Sequence, residues 1–314
     1  MSSDAPRVGV GVEVRVPASS ANLGPGFDSV GCALGVWDTC VATVSGSAGL
    51  VVRVSGEGAG AVPLDASHLV YRAMQAAWDE LGVTPPSGLV LDCHNAVPHG
   101  RGMGSSATAI VTGIVAAQAL HDVSRGASEP VDLEFANLLA SRLEGHPDNA
   151  SASVYGGATL SWSDWPGAGT TTVHLPVHPD IAPVVLAPDA QLSTAKARSV
   201  LPQQVRLADA AANSGRAALL VHALGSAPEH LVAATRDWLH QEARRPSYAA
   251  SMALVDALRA EGLAAVISGA GPSVLVLATR DRVAEAGAHA PHGWRVLTPG
   301  IPDHGARVRV VATG

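Results

Sequence analysis

The sequence predicts a protein of the α+β class, and three observations lead there. The first half is rich in segments of period-two alternation with few helical ones, while the second half groups its helical segments in a block. That arrangement disfavours a doubly wound parallel sheet, which needs strict alternation. A strand, a glycine-rich turn and a helix follow one another around residues 88–120. Finally, 314 residues with 47% hydrophobic content suggest one large domain or two of ordinary size, and only 4% aromatics means a core of Ala, Val, Leu and Ile.

The elements follow in order. Val8, Val10, Val12, Val14 and Val16 alternate with other residues as a half-buried strand, which Pro17 is expected to end, with a Ser/Asn/Gly loop to Gly26. Strands are expected at Thr39–Ser45 and Leu50–Ser55, then a loop at Gly56–Ala66. An amphipathic helix carrying Trp78 spans Leu69–Leu81, and a strand at Leu89–Cys93 feeds the glycine-rich turn. Helix is expected again at Leu133–Leu143, apolar at 133, 135, 138, 139 and 143, and a strand at Gly156–Trp162. The turn-rich segment Ser163–Thr170 is the expected domain boundary, giving domains 6–166 and 167–314. Beyond it lie strands at Thr171–Leu175 and Pro183–Ala187 and helices at Gln203–Leu224, Glu229–Leu239 and Tyr248–Glu261. Strands Ala264–Ser268 and Ser273–Ala278, joined by Gly269-Ala270-Gly271-Pro272, close the pattern.

Composition narrows the function classes. A formal net charge of −7 leaves no nucleic-acid footprint, so an anionic ligand must be met by local donors. Cys32, Cys40 and Cys93 lack CxxC spacing, which points to a reducing compartment and away from zinc. The longest apolar run, Ala107–Leu120, is too short to span a bilayer, and no signal peptide opens the chain, so a cytoplasmic protein with no membrane partner is expected.

Pro98-His99-Gly100-Arg101-Gly102-Met103-Gly104-Ser105-Ser106 carries the clearest chemistry. Glycines let backbone N–H groups approach an anion, and the first turn of the following helix adds free amides and the positive end of its dipole. It is neither a Walker loop, since the sole lysine is the distant Lys196, nor a Rossmann fingerprint. The plainer alternative is a turn with a serine N-cap, but three glycines and two serines crowded at a helix start favour phosphate binding.

Four other segments hold chemistry-bearing groups. In Pro17–Gly31, Asp28 can pair with an ammonium and Asn22 can hydrogen-bond either end of an amino acid, although a tight self-capped connector explains the segment equally well. Glu144-Gly145-His146-Pro147-Asp148-Asn149 gathers two acids, a histidine and an amide, suited to a Mg²⁺ ligand and to orienting a hydroxyl. Arg198 and one of Arg244 or Arg245 could grip a carboxylate if they met in a pocket. The turn Ser268–Ser273 is a hairpin by default and, functionally, a glycine-backed wall against the phosphate turn.

Taken in order, PASSANLGPGFDSVG, PHGRGMGSSAT, EGHPDN and SGAGPS resemble the homoserine kinase family within the GHMP small-molecule kinase superfamily, over residues 17–273. The resemblance implies a two-domain GHMP kinase fold, with an N-terminal domain like domain 2 of ribosomal protein S5 and a ferredoxin-like C-terminal domain. It also implies the cofactors ATP and Mg²⁺, a small-molecule substrate, L-homoserine, and a possible homodimer. By likeness, Pro98, Gly100, Arg101, Gly102, Met103, Gly104, Ser105 and Ser106, backed by Gly269 and Gly271, cradle ATP, and Ser106 and Glu144 hold Mg²⁺. Asn22, Asp28, Thr194, Arg198 and Arg244 bind the substrate's amino and carboxylate groups, while His146, Asp148 and Asn149 line its hydroxyl. Three departures stand out: Met103 replaces the usual Leu, Thr108 follows Ala107, and the doubled Arg244-Arg245 leaves the second arginine open by one position.

The expected activity is therefore ATP-dependent phosphorylation of the L-homoserine side-chain hydroxyl, with Asp148, Asn149, His146 and Arg198 at the reacting end and little assistance from a general base. The alternatives are a GHMP kinase for another hydroxylated amino acid such as L-threonine, or a non-catalytic ligand-binding relative.

Overall fold

The computed structural model describes residues 5–127, 131–164 and 169–312. The chain opens with β1 (Val10–Ala21), β2 (Val30–Val44), β3 (Gly49–Gly56), α1 (Leu69–Leu81), β4 (Gly88–Asn95) and α2 (Ser105–Ser124). Next come α3 (Leu133–Glu144), α4 (Pro147–Tyr155), β5 (Ala158–Trp162), β6 (Thr171–Leu175) and β7 (Ile181–Ala187). A run of helices follows: α5 (Thr194–Ser199), α6 (Leu207–Gly225), α7 (Leu231–Ala234), α8 (Gln241–Arg244) and α9 (Ala249–Ala260). The chain closes with β8 (Ala265–Ile267), β9 (Val274–Thr279), α10 (Val283–Ala288), β10 (Arg295–Leu297) and β11 (Arg307–Ala312).

The first sheet has the order β11-β1-β2-β4-β3, with β5 paired to the far end of β2 and β6 to β5. The inward valines of β1, Val12, Val14 and Val16, pack with Leu91 of β4, Met74 and Trp78 of α1 and Ile114 and Leu120 of α2. The Trp78 indole is wholly enclosed and donates Nε1–H to the Ala117 carbonyl at 3.2 Å. Helix α2 runs longer than the apolar stretch expected at 107–120 and is long and apolar enough to cross a bilayer by length and composition. It instead lies in the middle of this core, and being apolar on every side is what such a position requires.

The second sheet has the order β10-β7-β9-β8, all neighbours antiparallel. Numbered in sequence as first (β7) to fourth (β10), the strands lie 4-1-3-2, with helices after the first and third. That is the βαββαβ arrangement of ferredoxin-like domains, as expected. The block of helices seen in the sequence is the inflated first crossover.

Several expectations are corrected. β1 does not end at Pro17 but continues to Ala21, because the register shifts between Pro17 and Ala18 and β11 pairs only as far as Arg15. The helix expected at 229–239 stops at Ala234, where the Asp237 carboxylate accepts the amides of Leu239, His240 and Gln241 and so starts α8 anew. Pro147 opens a further helix, α4, beyond those expected, while Gly145 closes α3 in the left-handed conformation. The boundary between 166 and 167 lies outside the described residues. On its far side, β6 and β11 both pair within the first sheet.

Candidate active site

A cleft of about 540 Å³ opens between the two sheets. Its floor is the glycine-rich turn leading into α2. Gly100, Gly102 and Gly104 all hold positive φ, at 65°, 75° and 70°. A Cβ on Gly102 would stand 2.2 Å from the Ser268 carbonyl oxygen, and one on Gly104 would stand 2.2 Å from Ser19 Oγ. Four consecutive carbonyls of this turn are bonded into the surrounding scaffold. Gly100 O accepts from Leu192 N (2.8 Å), Arg101 O from Ser273 N (3.2 Å), Gly102 O from Ser268 Oγ (2.6 Å) and Met103 O from Ser19 N (3.1 Å). With its carbonyls turned into the protein, the backbone presents its amides to the cleft. The helix N-cap is Gly104, not a serine, so no side chain caps the first turn of α2. These features make a concave set of donors at the positive end of a twenty-residue helix.

The residues expected around this turn divide into three groups. Gly100, Gly102, Gly104, Ser105, Ser106, Gly269 and Gly271 line the cleft. Pro98 and Met103 are buried beneath it, Met103 packing against Ala18 and Leu23. Arg101 does not line the cleft, and its guanidinium is turned into the protein. Its Nε donates to the Pro188 carbonyl (2.7 Å), Nη2 donates to the Asp189 carbonyl (3.1 Å), and Nη1 lies 3.6 Å from Glu57.

The opposite side of the cleft is cationic. Arg198, on α5, forks onto Asp28 through Nη1–Oδ2 (3.1 Å) and Nη2–Oδ1 (2.5 Å). Burial opposes the charge of Arg198, but the contact with Asp28 outweighs it and holds the guanidinium more firmly protonated. Asn22 is not free to clamp a ligand with its whole amide. Its Nδ2 donates to the Gly269 carbonyl (3.0 Å) and its Oδ1 accepts from Asp28 N (3.1 Å), which fixes Asp28. Asn22 and Asp28 both hold left-handed backbone, at φ 71° and 55°. Thr194, exposed at the first turn of α5, lines the same space.

Geometry separates Arg244, the last residue of α8, from Arg245, which follows it. Arg244 is 2% exposed and lines the cleft, whereas Arg245 lies outside it, paired with Glu242 and Asp256. Arg244 donates Nε–H to the Ala197 carbonyl (2.9 Å) and Nη1–H to His240 Nδ1 (3.2 Å). His240, whose Nε2 lies 2.9 Å from the Gly24 carbonyl, is kept neutral by burial, which lowers its pKa. That assigns the proton to Nε2 and leaves Nδ1 to accept. Phe27 was missed as a site residue by sequence reasoning. Its ring stacks on His240 (5.0 Å between centroids) and lies under both Arg198 and Arg244, each 5.6 Å from the ring centre. As one of only two phenylalanines and the neighbour of Asp28, it was the available signal.

The third wall is the α3–α4 junction. Ser106 Oγ donates to Glu144 Oε1 at 2.5 Å, joining the start of α2 to the end of α3. His146 Nδ1 stands 3.3 Å from Asp148 Oδ1, an electrostatic contact in which the ring nitrogen gains no aligned hydrogen bond. Burial pulls the His146 pKa down, but Asp148 more than reverses this, so the net shift is upward. Asn149 accepts from Ser19 Oγ (3.1 Å), which steadies it beside Gly104.

A second pocket of about 830 Å³ shares Ser105 and Ser106 with the cleft and runs along α1 and β4. Val62, Pro63, Leu69 and Val70 give it apolar walls, and His68 offers a buried Nδ1 with no partner. No motif in the sequence marked these residues, because they come from a loop and a helix start with ordinary composition.

Residues 68–157 match the GHMP kinases N terminal domain and residues 210–293 the GHMP kinases C terminal. Fold and cleft together define a two-domain small-molecule kinase of the GHMP type. A homoserine kinase from Streptomyces coelicolor is 47% identical over 302 residues, covering 96% of each chain, and one from Rhodococcus erythropolis is 48% identical over 304 residues, covering 94% of this chain and 95% of that one. The chain belongs to the homoserine kinase family. The crystal structure of homoserine kinase from Cytophaga hutchinsonii superposes with a TM-score of 0.82 at 25% identity, covering 95% of this chain and 97% of that one.

Proposed function

We propose that this protein transfers the γ-phosphoryl group of ATP to the side-chain hydroxyl of L-homoserine. The observation that carries the reading is that the amide-lined turn 100–106 opens onto the same cleft as Asp28, Arg198 and Arg244. The α-ammonium of the substrate takes Asp28, and its carboxylate takes Arg198 and Arg244. In the resting cleft Asp28 and Arg198 satisfy each other, so a zwitterion replaces one matched pair of charges with two. The turn amides hold the triphosphate, and the nucleoside extends into the adjoining pocket past Ser105 and Ser106.

Ser106 Oγ and the Glu144 carboxylate form a hard-oxygen pair at the helix start, the donor chemistry of Mg²⁺ brought in with nucleotide phosphates. Among the described residues no group of three or more His, Cys, Asp or Glu side chains could hold a metal by itself. Bound there, Mg²⁺ would neutralise charge on the transferring phosphates. The protein's own contribution is orientation: Asn149 and the His146–Asp148 pair face the hydroxyl, and the amides stabilise charge on the γ-phosphate. Asp148 is the carboxylate paired with His146 at that end, and its role here is to orient rather than to abstract. Cytoplasmic residence belongs to the same proposal, since ATP is there and Cys32, Cys40 and Cys93 are all free and buried. So does a homodimer, on the family resemblance alone.

Steady-state ADP release with homoserine, threonine, serine and mevalonate side by side tests the reading. Turnover with homoserine at least tenfold above the others in kcat/KM is expected, and equal or absent turnover would refute it.

A further inference from the structure

Resting on the reading above, we infer that the Arg101 side chain is a positioning group, coupling the triphosphate site to the amino-acid site without itself touching either ligand.

The segment carrying Thr194 and Arg198 is a strap from Pro188 to Ser199. From Asp189 to Val200 only Ala197 is fully buried, and Leu192, partly buried, packs against the core of the second sheet, so little apolar burial holds the strap in place. Its attachment is polar and falls at two ends. At the substrate end, Arg244 Nε donates to the Ala197 carbonyl (2.9 Å) and Arg198 forks onto Asp28. At the other end the hydrogen bonds to the rest of the molecule all come from the phosphate turn. Leu192 N donates to Gly100 O (2.8 Å), and Arg101 donates to the carbonyls of Pro188 (2.7 Å) and Asp189 (3.1 Å). The Arg101 side chain is only 11% exposed, and Glu57, at 3.6 Å, balances its charge while also pairing with Arg295 of β10 at 2.6 Å. Arg101 thus joins three parts of the molecule: the phosphate turn by its own backbone, the strap by its guanidinium, and the second sheet through Glu57.

A segment of such low intrinsic stability must be ordered before it can bind, and whichever ligand orders it first lowers the cost for the second. Phosphates on the turn amides fix the anchor at Gly100 and Arg101; a carboxylate on Arg198 fixes the far end of the strap. Linkage then requires that each ligand tighten the other by the same factor. A planar fork reaching two successive carbonyls is a task that lysine cannot copy.

The test is isothermal titration of L-homoserine into the full-length protein with and without the β,γ-imido analogue of ATP and Mg²⁺, for the unaltered protein, Arg101→Gln and Glu57→Gln. The unaltered protein is expected to bind homoserine at least about fivefold tighter with the analogue present, the low end of ordinary coupling. In Arg101→Gln that ratio should fall to within twofold of one, while the affinity for the analogue alone changes less than about threefold. Glu57→Gln, which leaves the fork in place but loosens it, should fall between the two. A tenfold loss of analogue affinity in Arg101→Gln with the ratio preserved would make Arg101 a phosphate ligand and overturn the inference. So would an unaltered protein that binds both ligands with no coupling. If Arg101→Gln fails to fold, the Glu57→Gln ratio decides alone, and an unchanged value refutes the inference. Failure of the unaltered protein to bind homoserine at all would instead refute the functional reading, and this inference with it.

Discussion

Arg198 and Asp28, 170 residues apart, meet in a two-pronged ion pair at 2.5 and 3.1 Å across the mouth of the cleft. Each is about a third exposed, so the pair adds little to fold stability; on the proposed reading it holds opposite charges ready for the two ends of an amino acid. Arg198→Ala should therefore lower kcat/KM for homoserine about 10- to 100-fold, mostly through KM, as expected for losing charge-assisted hydrogen bonds. Melting temperature should hardly move. Steady-state kinetics and a thermal melt on the same preparation check both halves.

Arg244 and Arg245 should separate sharply. Arg244 is buried against Phe27 and His240, and Arg244→Ala should weaken homoserine binding and also destabilise the protein, because His240 Nδ1 and the Ala197 carbonyl lose their donor. Arg245→Ala breaks only exposed pairs with Glu242 and Asp256 and should change stability by less than about 1 kcal/mol and activity by less than twofold. Denaturant titrations of both variants test this.

The glycines offer a contrast that needs no substrate. Gly102→Ala forces a side chain into positive φ and within 2.2 Å of the Ser268 carbonyl, so it should cost about 1–3 kcal/mol and abolish nucleotide binding. Gly215→Ala, in α6 with nothing within 4 Å, should add about 0.4–1 kcal/mol of stability and leave activity alone.

His146 gives a pH signature. Its pKa is raised above the ordinary 6.5: burial works against the rise, and the neighbouring Asp148 outweighs it. A raised value means a contribution to stability that is fully present below 6.5 and is lost as the pH climbs through the folded value. His146→Gln should flatten that part of the stability profile, measured by denaturant titration from the acid side of 6.5 upward. Unchanged curvature would show that the contact with Asp148 is not felt.

The sequence spoke clearly where chemistry is local. The bounds of α1 follow from apolar spacing, and the tight turn before α2 from its glycines, because each depends on residues near in the chain. It was silent where partners come from afar. Nothing near Arg101 announced that the carbonyls of residues 188 and 189 would absorb its guanidinium. Pro17 looked like a strand end because the bulge that accommodates it depends on β2. The pocket around His68 and Phe27's place beneath two arginines were likewise products of the fold, assembled from segments with no pattern of their own.

The most direct measurement is a crystal structure of the protein with L-homoserine and the β,γ-imido analogue of ATP bound together. The account predicts the triphosphate on the amides of residues 100–106, the homoserine ammonium on Asp28, its carboxylate on Arg198 and Arg244, and its hydroxyl in line with the γ-phosphorus. Homoserine seated elsewhere, or a triphosphate that leaves those amides untouched, would contradict it.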